Sequence, residues 1–458
     1  IESKDGSLEE KKGAKKDKYT LPLESSRKIE FETSEGTWLS LDMSPDSSTI
    51  IFELLGDLYT IPTSGGDATL FMGGMAFDSQ PVYSPDGSKI AFLSDRDGSE
   101  GVWLVNTDGT EPKKLNSSGN GYVSPAWSND GNYVMVSQGA PGLGAYELWM
   151  HHINGGSGVQ LTKAMPTPTT PRNQSHNALG VQASPDGKYL YYAQKSGGFQ
   201  YNMTGFSWGI ARRTLADGQE DKIIEAYGGA IRPLISPDGT KLVYGTRHDS
   251  QTGLRVRDLN TGEDNWLIYP ITRDDQESRA TRDLLPSYTF TPDGSALIMN
   301  LNGGIARVEM TTGEATDIPF TAKVSQDIGP SLHFDLKDPS GSIEARLIQS
   351  PKQSPDGKSI VFSSLTNLYT MDLEKGEPKR FNSGDTPEFQ PSYSPNGQWI
   401  TYVTWDVDGG HVWKKRSNGR GRAIQLTKLA GYYHSPIFTP DGKDVFSFRA
   451  SHYDRMMG

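Results

Sequence analysis

The chain has 458 residues, a net charge of −11, 51 glycines and no cysteine. Without cysteine there is no disulfide scaffold, thiolate zinc site or cysteine nucleophile, and the acidic balance disfavours a phosphate-backbone partner, so no nucleic acid is expected. No apolar run reaches the ~18 residues of a membrane-spanning helix, and at this length roughly 75% of the unfolded surface can be buried without covalent staples.

The chain opens on Ile1 and runs to Lys18 almost without apolar residues. Residues 1–27 read as a polar tether, either behind a removed export signal or as a mere sequence boundary. Export would place the protein in the periplasm, at the cell surface or outside the cell. Lys28-Ile-Glu-Phe-Glu32 then alternates as a short strand.

From there the chain repeats. A four-residue word begins at Ser44, Ser84, Ser128, Ser184, Ser236, Thr291, Ser354, Ser394 and Thr439, mostly as SPDG or TPDG. Its third residue runs from Asp46 to Asp441 in eight steps averaging about 49 residues, the period of a propeller blade. Proline presets one turn position, Asp bonds back to its own backbone, and glycine supplies positive φ, so the word joins two strands. The second strand follows each word, as in Lys89-Ile-Ala-Phe-Leu93 and Trp399-Ile-Thr-Tyr-Val403. A third strand such as Gly101-Val-Trp-Leu-Val105, a glycine turn and a short fourth strand such as Ile424-Gln-Leu-Thr427 complete the unit. Four antiparallel strands per repeat, with no sustained helical period, predict an all-β fold over 28–458, a β-propeller of four-stranded blades. Nine words could form one large ring or two packed propellers, with all nine turns on one face.

The ninth blade reads as incomplete. Ser435–Phe438 and Asp444–Phe448 supply its first two strands, and too little follows for two more. Sequence beyond Gly458, or the strand at 28–32 closing the ring, would complete it.

The chemistry-bearing motifs are weak. Gly205-Phe-Ser207-Trp-Gly209 has the G-x-S-x-G spacing, but Ile210–Leu215 reads as a strand where a nucleophile elbow needs a helix. The eight histidines lack metal-site spacing. Asp95-Arg-Asp97-Gly98 and Asp406-Val-Asp408-Gly409 suit hairpin turns better than calcium loops. The densest charge lies in a blade insertion: Arg273, Arg279 and Arg282 with Asp274, Asp275, Glu277 and Asp283. Arginine forks there can grip a carboxylate or a partner domain, while a solvated loop is the bland alternative. No catalytic or metal-ligating residue is assigned, and the isolated chain is expected to bind no stoichiometric zinc.

The words and their following strands resemble the TolB-like β-propeller family from about Trp38 onward. Longer stretches, including Arg273-Asp-Asp-Gln-Glu-Ser-Arg279, Glu388-Phe-Gln-Pro391 and Tyr402-Val-Thr-Trp405 with Gly409-Gly-His-Val-Trp413, are similar to the N-terminal propeller of large exported bacterial amidohydrolase-family proteins. That resemblance implies a non-catalytic propeller that supports a metal-dependent hydrolase barrel acting on amide or peptide bonds and gates its substrate. The divalent, zinc-like metal would sit in that barrel, as a C-terminal domain or a separate chain; the propeller needs no cofactor of its own. Arg273, Arg279, Arg282, Trp405 and His411 are the candidate substrate- or partner-binding residues. A stand-alone TolB-like binding propeller, oligomeric or not, and the propeller of a prolyl-oligopeptidase- or tricorn-like peptidase are the alternatives.

Overall fold

The computed structural model describes residues 25–116, 121–199, 207–277, 282–330, 333 and 341–451. These residues are strand and turn, apart from one 3-10 turn at Arg172–Gln174, and no helix among them is long and apolar enough to cross a membrane. The chain divides into two units, Ile1–Leu332 and His333–Gly458.

Each word builds the same turn. Ser84 Oγ donates to Asp86 Oδ1 at 2.6 Å and accepts the Lys89 N–H at 2.9 Å. Asp86 Oδ1 also accepts the Ser88 N–H at 3.0 Å, and Gly87 N–H donates to the Ser84 carbonyl at 2.8 Å. The hydroxyl-to-third-residue bond recurs at the other eight words. The first-position hydroxyl therefore ties the turn to the start of the second strand, a role that the spacing alone does not reveal.

The first unit holds six blades. Blade 1 is Leu41–Met43, Thr49–Leu54, Asp57–Pro62 and Gly66–Met72, paired in that order. Blades 2 to 6 repeat this plan, starting at Ser79–Tyr83, Tyr122–Trp127, His176–Ala183, Ile231–Ile235 and Thr289–Phe290. Because side chains alternate along a strand, each second strand feeds two seams. Ile50 and Phe52 pack toward blade 6 with Ile298 and Ile305, whereas Ile51 packs toward blade 2 with Ile90, Phe92 and Trp103. Blade 6 returns to blade 1: Ser287 Oγ accepts the Leu41 N–H at 2.8 Å and donates to the Leu41 carbonyl at 3.0 Å. Six seams, all packed, close the ring.

The words of this unit stack side by side at one end. A Cβ on Gly87 would sit 3.6 Å from the Pro45 ring, and one on Gly294 3.5 Å from Pro237. A strap outside the repeat reinforces the closure. Phe320–Ile328 pairs in parallel with Gly66–Met72, and Arg27–Thr33 pairs antiparallel with the strap. The strand at 28–32 thus latches the first ring, and it is not the partner of Val445–Phe448.

The second unit holds the last three words. Blade 7 is Gln349–Gln353, Ser359–Ser364, Asn367–Asp372 and Pro378–Arg380. Blade 8 is Glu388–Tyr393, Trp399–Thr404, Val412–Arg416 and Ile424–Gln425. The ninth word joins only Tyr432–Phe438 to Val445–Ala450, a two-stranded half-blade. Nine words divide six and three, which the uniform period left open.

Candidate binding site on the ring axis

The inner strands of blades 2, 3 and 5 carry bulges with one residue in the left-handed region: Gln80 at φ 51°, Ser124 at φ 57° and Arg232 at φ 49°. A bulge re-aims its side chain, and here it aims it at the ring axis. In blade 4 the same place is taken by Gly180, at φ 69°, where a Cβ would lie 3.8 Å from Arg232.

Two of these side chains, Ser124 and Arg232, meet Asp283, from the connection between blades 5 and 6. Ser124 Oγ and an Arg232 guanidinium N–H both donate to Asp283 Oδ2, and the Leu284 N–H donates to Oδ1 at 2.6 Å. Gln80 Oε1 accepts the Ser124 N–H at 2.7 Å, and the Tyr288 hydroxyl donates to the Arg232 carbonyl. Blade 3 can touch the entry to blade 6 only at the centre of a six-bladed ring. The network is buried throughout, with Asp283 at 1% and Arg232 at 7% exposure. It plugs the axis at the end opposite the words.

Two more carboxylates flank the plug. Glu53 accepts the Gln80 N–H at 2.7 Å, and Asp42 accepts the Tyr83 N–H at 2.8 Å. Burial pushes Glu53 up to about 7 and Asp42 up to about 6, against the pull of those N–H groups. Burial also lowers Arg232 to about 10. Glu53 forms part of a cavity of about 200 Å³, shared with Trp38, Leu39, Phe77 and Arg282.

The described parts of the insertion, 272–277 and 282–283, are anchored to the ring. Arg247 holds Asp274 through Nε at 2.9 Å and a terminal nitrogen at 2.6 Å, and it also pairs with Glu277. Thr252 Oγ1 donates to Asp274 at 2.5 Å, and Gln276 Nε2 donates to the Gly228 carbonyl at 3.0 Å. Asp274 and Asp283 are thus buried anchors, with side-chain partners 22 to 159 residues away, and Glu277 is half-buried against Arg247. Arg273 is exposed, and Arg282 is exposed with its guanidinium 5.7 Å from the Phe77 ring centroid. Arg279 lies outside the described residues.

Trp405 and His411 belong to the second unit. Trp405 lies against Phe389 at 4.9 Å between ring centroids and donates to the Tyr433 carbonyl at 3.4 Å. His411 Nδ1 lies 3.1 Å from Thr427 Oγ1. The five candidates therefore divide between two units. The bulged Gln80, Ser124 and Arg232 were missed. Their one sequence signal is a polar residue in the middle of an inner strand that otherwise reads apolar, as at Arg232 in Ile231-Arg-Pro-Leu-Ile235.

The weaker motifs have structural partners. Ser207 leads into strand Gly209–Thr214, so no helix follows it. Asp95 accepts the Phe77 N–H at 2.8 Å, and Asp97 pairs with Lys114 at 2.8 Å. Among the described residues, no three His, Asp or Glu side chains converge as a metal cluster.

Residues 11–200 match the TolB beta propeller domain family. The Tol-Pal system protein TolB of Francisella tularensis is 23% identical over 285 residues, covering 59% of this chain and 53% of that protein. The uncharacterized peptidase YuxL of Bacillus subtilis is 32% identical over 82 residues, 18% of this chain and 12% of that one. The crystal structure of the tricorn protease aligns with 91% of this chain and 46% of its own, at 15% identity and a TM-score of 0.46. In each case the match spans about half or less of the other protein. The repeated words and the four-stranded blades make this chain a β-propeller, and the matched domain makes residues 11–200 of it TolB-like.

Proposed function

We propose that the chain is the non-catalytic propeller portion of an exported hydrolase that cleaves amide or peptide C–N bonds. In this reading the first unit docks the catalytic domain and steers substrate across the plugged end of its ring. The plug carries the proposal. Gln80, Ser124, Arg232 and Asp283 are joined by buried hydrogen bonds, which suits a rigid platform rather than a turnover site. A sealed axis sends traffic over the end of the ring. There Arg273 and Arg282, on the connection between blades 5 and 6, offer guanidinium forks to carboxylates. The divalent metal of the reaction belongs to the catalytic domain.

A stand-alone protein-docking propeller is the second reading, favoured by the TolB match over 59% of the chain. Both are tested on the purified chain, offered amide and peptide substrates with and without added zinc. It is then titrated with peptides bearing free C-terminal carboxylates. No turnover is expected, with peptide binding that weakens about tenfold in R273A/R282A, the loss of a charge-assisted hydrogen bond. Turnover by this chain alone sinks the first reading, as does binding indifferent to both arginines. Capture of a folded protein with no peptide binding supports the second.

A further inference from the structure

Among the described residues, the half-blade of the second unit has a face and an edge that complete blades cover and that nothing covers here. Counted from the third residue of the word, Val445, Phe446 and Phe448 stand where blade 1 has Ile50, Ile51 and Glu53. Val445 packs back on blade 8 beside Val403, Val412 and Tyr433, as Ile50 packs back on blade 6. Phe446 therefore points where Ile51 points, toward a following blade. Ile51 is fully buried, whereas Phe446 and Phe448 are each 67% exposed, and Ile437, the register partner of Phe446, is 53% exposed.

The edge is open too, as it is in blade 5, whose outermost strand is the eight-residue Asp264–Ile271 with Trp266 and Tyr269 exposed. Natural sheets blunt their edges by keeping them short, charged or covered. Here the outermost strands of blades 2, 3 and 8 are the two-residue Lys113–Lys114, Val159–Gln160 and Ile424–Gln425. That of blade 7 is Pro378–Arg380, that of blade 4 is the charged Glu220–Glu225, and that of blade 1 lies under the strap. Val445–Ala450 is six residues long, carries two phenylalanines, and among the described residues pairs only with Tyr432–Phe438.

We infer that the outer edge of Val445–Ala450 is a docking site for a donated β-hairpin with the chemistry of this repeat's own third and fourth strands. The donor is an antiparallel strand rich in apolar residues, then a glycine turn and a short return strand. It extends an interface that already exists, since the half-blade continues the packing of blade 8. Its side chains would lie beside Phe446 and Phe448 as cross-strand neighbours, ~4.5–5.5 Å apart at Cβ. This inference stands apart from the proposed role of the first unit.

The probe is a synthetic peptide of residues 101–115, which in blade 2 supplies Gly101–Asn106 and Lys113–Lys114. Amide hydrogen exchange is followed on the whole chain, with the peptide or a scrambled version in excess. Exchange of residues 445–450 should slow about tenfold with the peptide alone, and the effect should vanish in F446K/F448K. Unchanged protection of Trp399–Thr404 in that variant verifies that blade 8 remains folded. No slowing at 445–450 by the peptide overturns the inference. So does slowing that depends on chain concentration without peptide and is lost in F446K/F448K, because it assigns the edge to a second copy of the chain.

Discussion

The two units use one word and reach different ends. In the first, six blades give each second strand a neighbour on both faces, and Ile50 and Ile51 are both fully buried. In the second, the last blade has, among the described residues, a neighbour on one face only, and the residue aligned with Ile51 is an exposed phenylalanine. Local turn chemistry is the same in both: Ser84 and Ser354 each donate to the third residue of the word at 2.6 Å. The turn makes a blade; the number of blades, the axial plug and the strap make a ring.

The comparison breaks most sharply at the plug. Asp283→Ala leaves the Arg232 guanidinium buried without its carboxylate, and removing one partner of a buried pair costs about 3–5 kcal/mol. Denaturant unfolding followed by hydrogen exchange should show that loss across blades 1 to 6 and none in blades 7 and 8. An equal loss in both units would mean that they unfold as one.

Next in size is the matched pair Ile51→Ala and Phe446→Ala. The first empties a packed seam and should cost about 2–5 kcal/mol. The second truncates an exposed ring and should stay within about 0.5 kcal/mol. A large loss at Phe446 in the free chain would show that its face is already covered.

The words should behave alike wherever they stand. Ser84→Ala and Ser354→Ala each remove one hydroxyl bridge, about 0.5–1.5 kcal/mol in their own unit. Unequal losses would mean that the ring, and not the turn, sets the value of the bridge.

The smallest effect is on acidity, and its sign separates buried carboxylates from those of the words. Glu53 and Asp42 sit at about 7 and about 6, above ordinary values of 4.5 and 3.8. The folded first unit therefore holds protons that the unfolded chain releases, and its stability should fall as pH rises from about 4 to about 7. Glu53→Gln should flatten that slope. The word carboxylates act the other way. The Ser44 hydroxyl and Ser48 N–H hold Asp46 at about 2, and the same kind of contacts lower Asp356 and Asp441. Their contribution is whole above the ordinary 3.8 and is lost as pH falls toward 2, in both units.

Much of the fold was legible because it is local. Turn residues, strand alternation and period each follow from neighbours within a few positions, as in Ser84 to Leu93. The six-and-three division was not, because the words on either side of it are alike. The strap that marks the boundary, Phe320–Ile328, lies in a long insertion and pairs with strands some 250 to 300 residues earlier. The candidate site was legible only in its outward half. Arg273 and Arg282 are exposed, as their charge suggests, but Asp274 and Asp283 look no different in sequence from solvated acids. Burial of those two depends on Arg247, Thr252, Ser124 and Arg232 arriving from other strands.

The strap also sets a clock during synthesis. Gly66 pairs with Phe320, so the two partners emerge 254 residues apart. At ~5–20 residues per second, that interval is about 13–50 s. Throughout it, the outer edge of blade 1 at Gly66–Met72 must wait uncovered on the ribosome. Ribosome-bound chains arrested before residue 320 should be cut readily by protease near that edge, and chains arrested well past Ile328 should resist. Equal resistance at both lengths would mean that blade 1 protects its edge before the strap arrives.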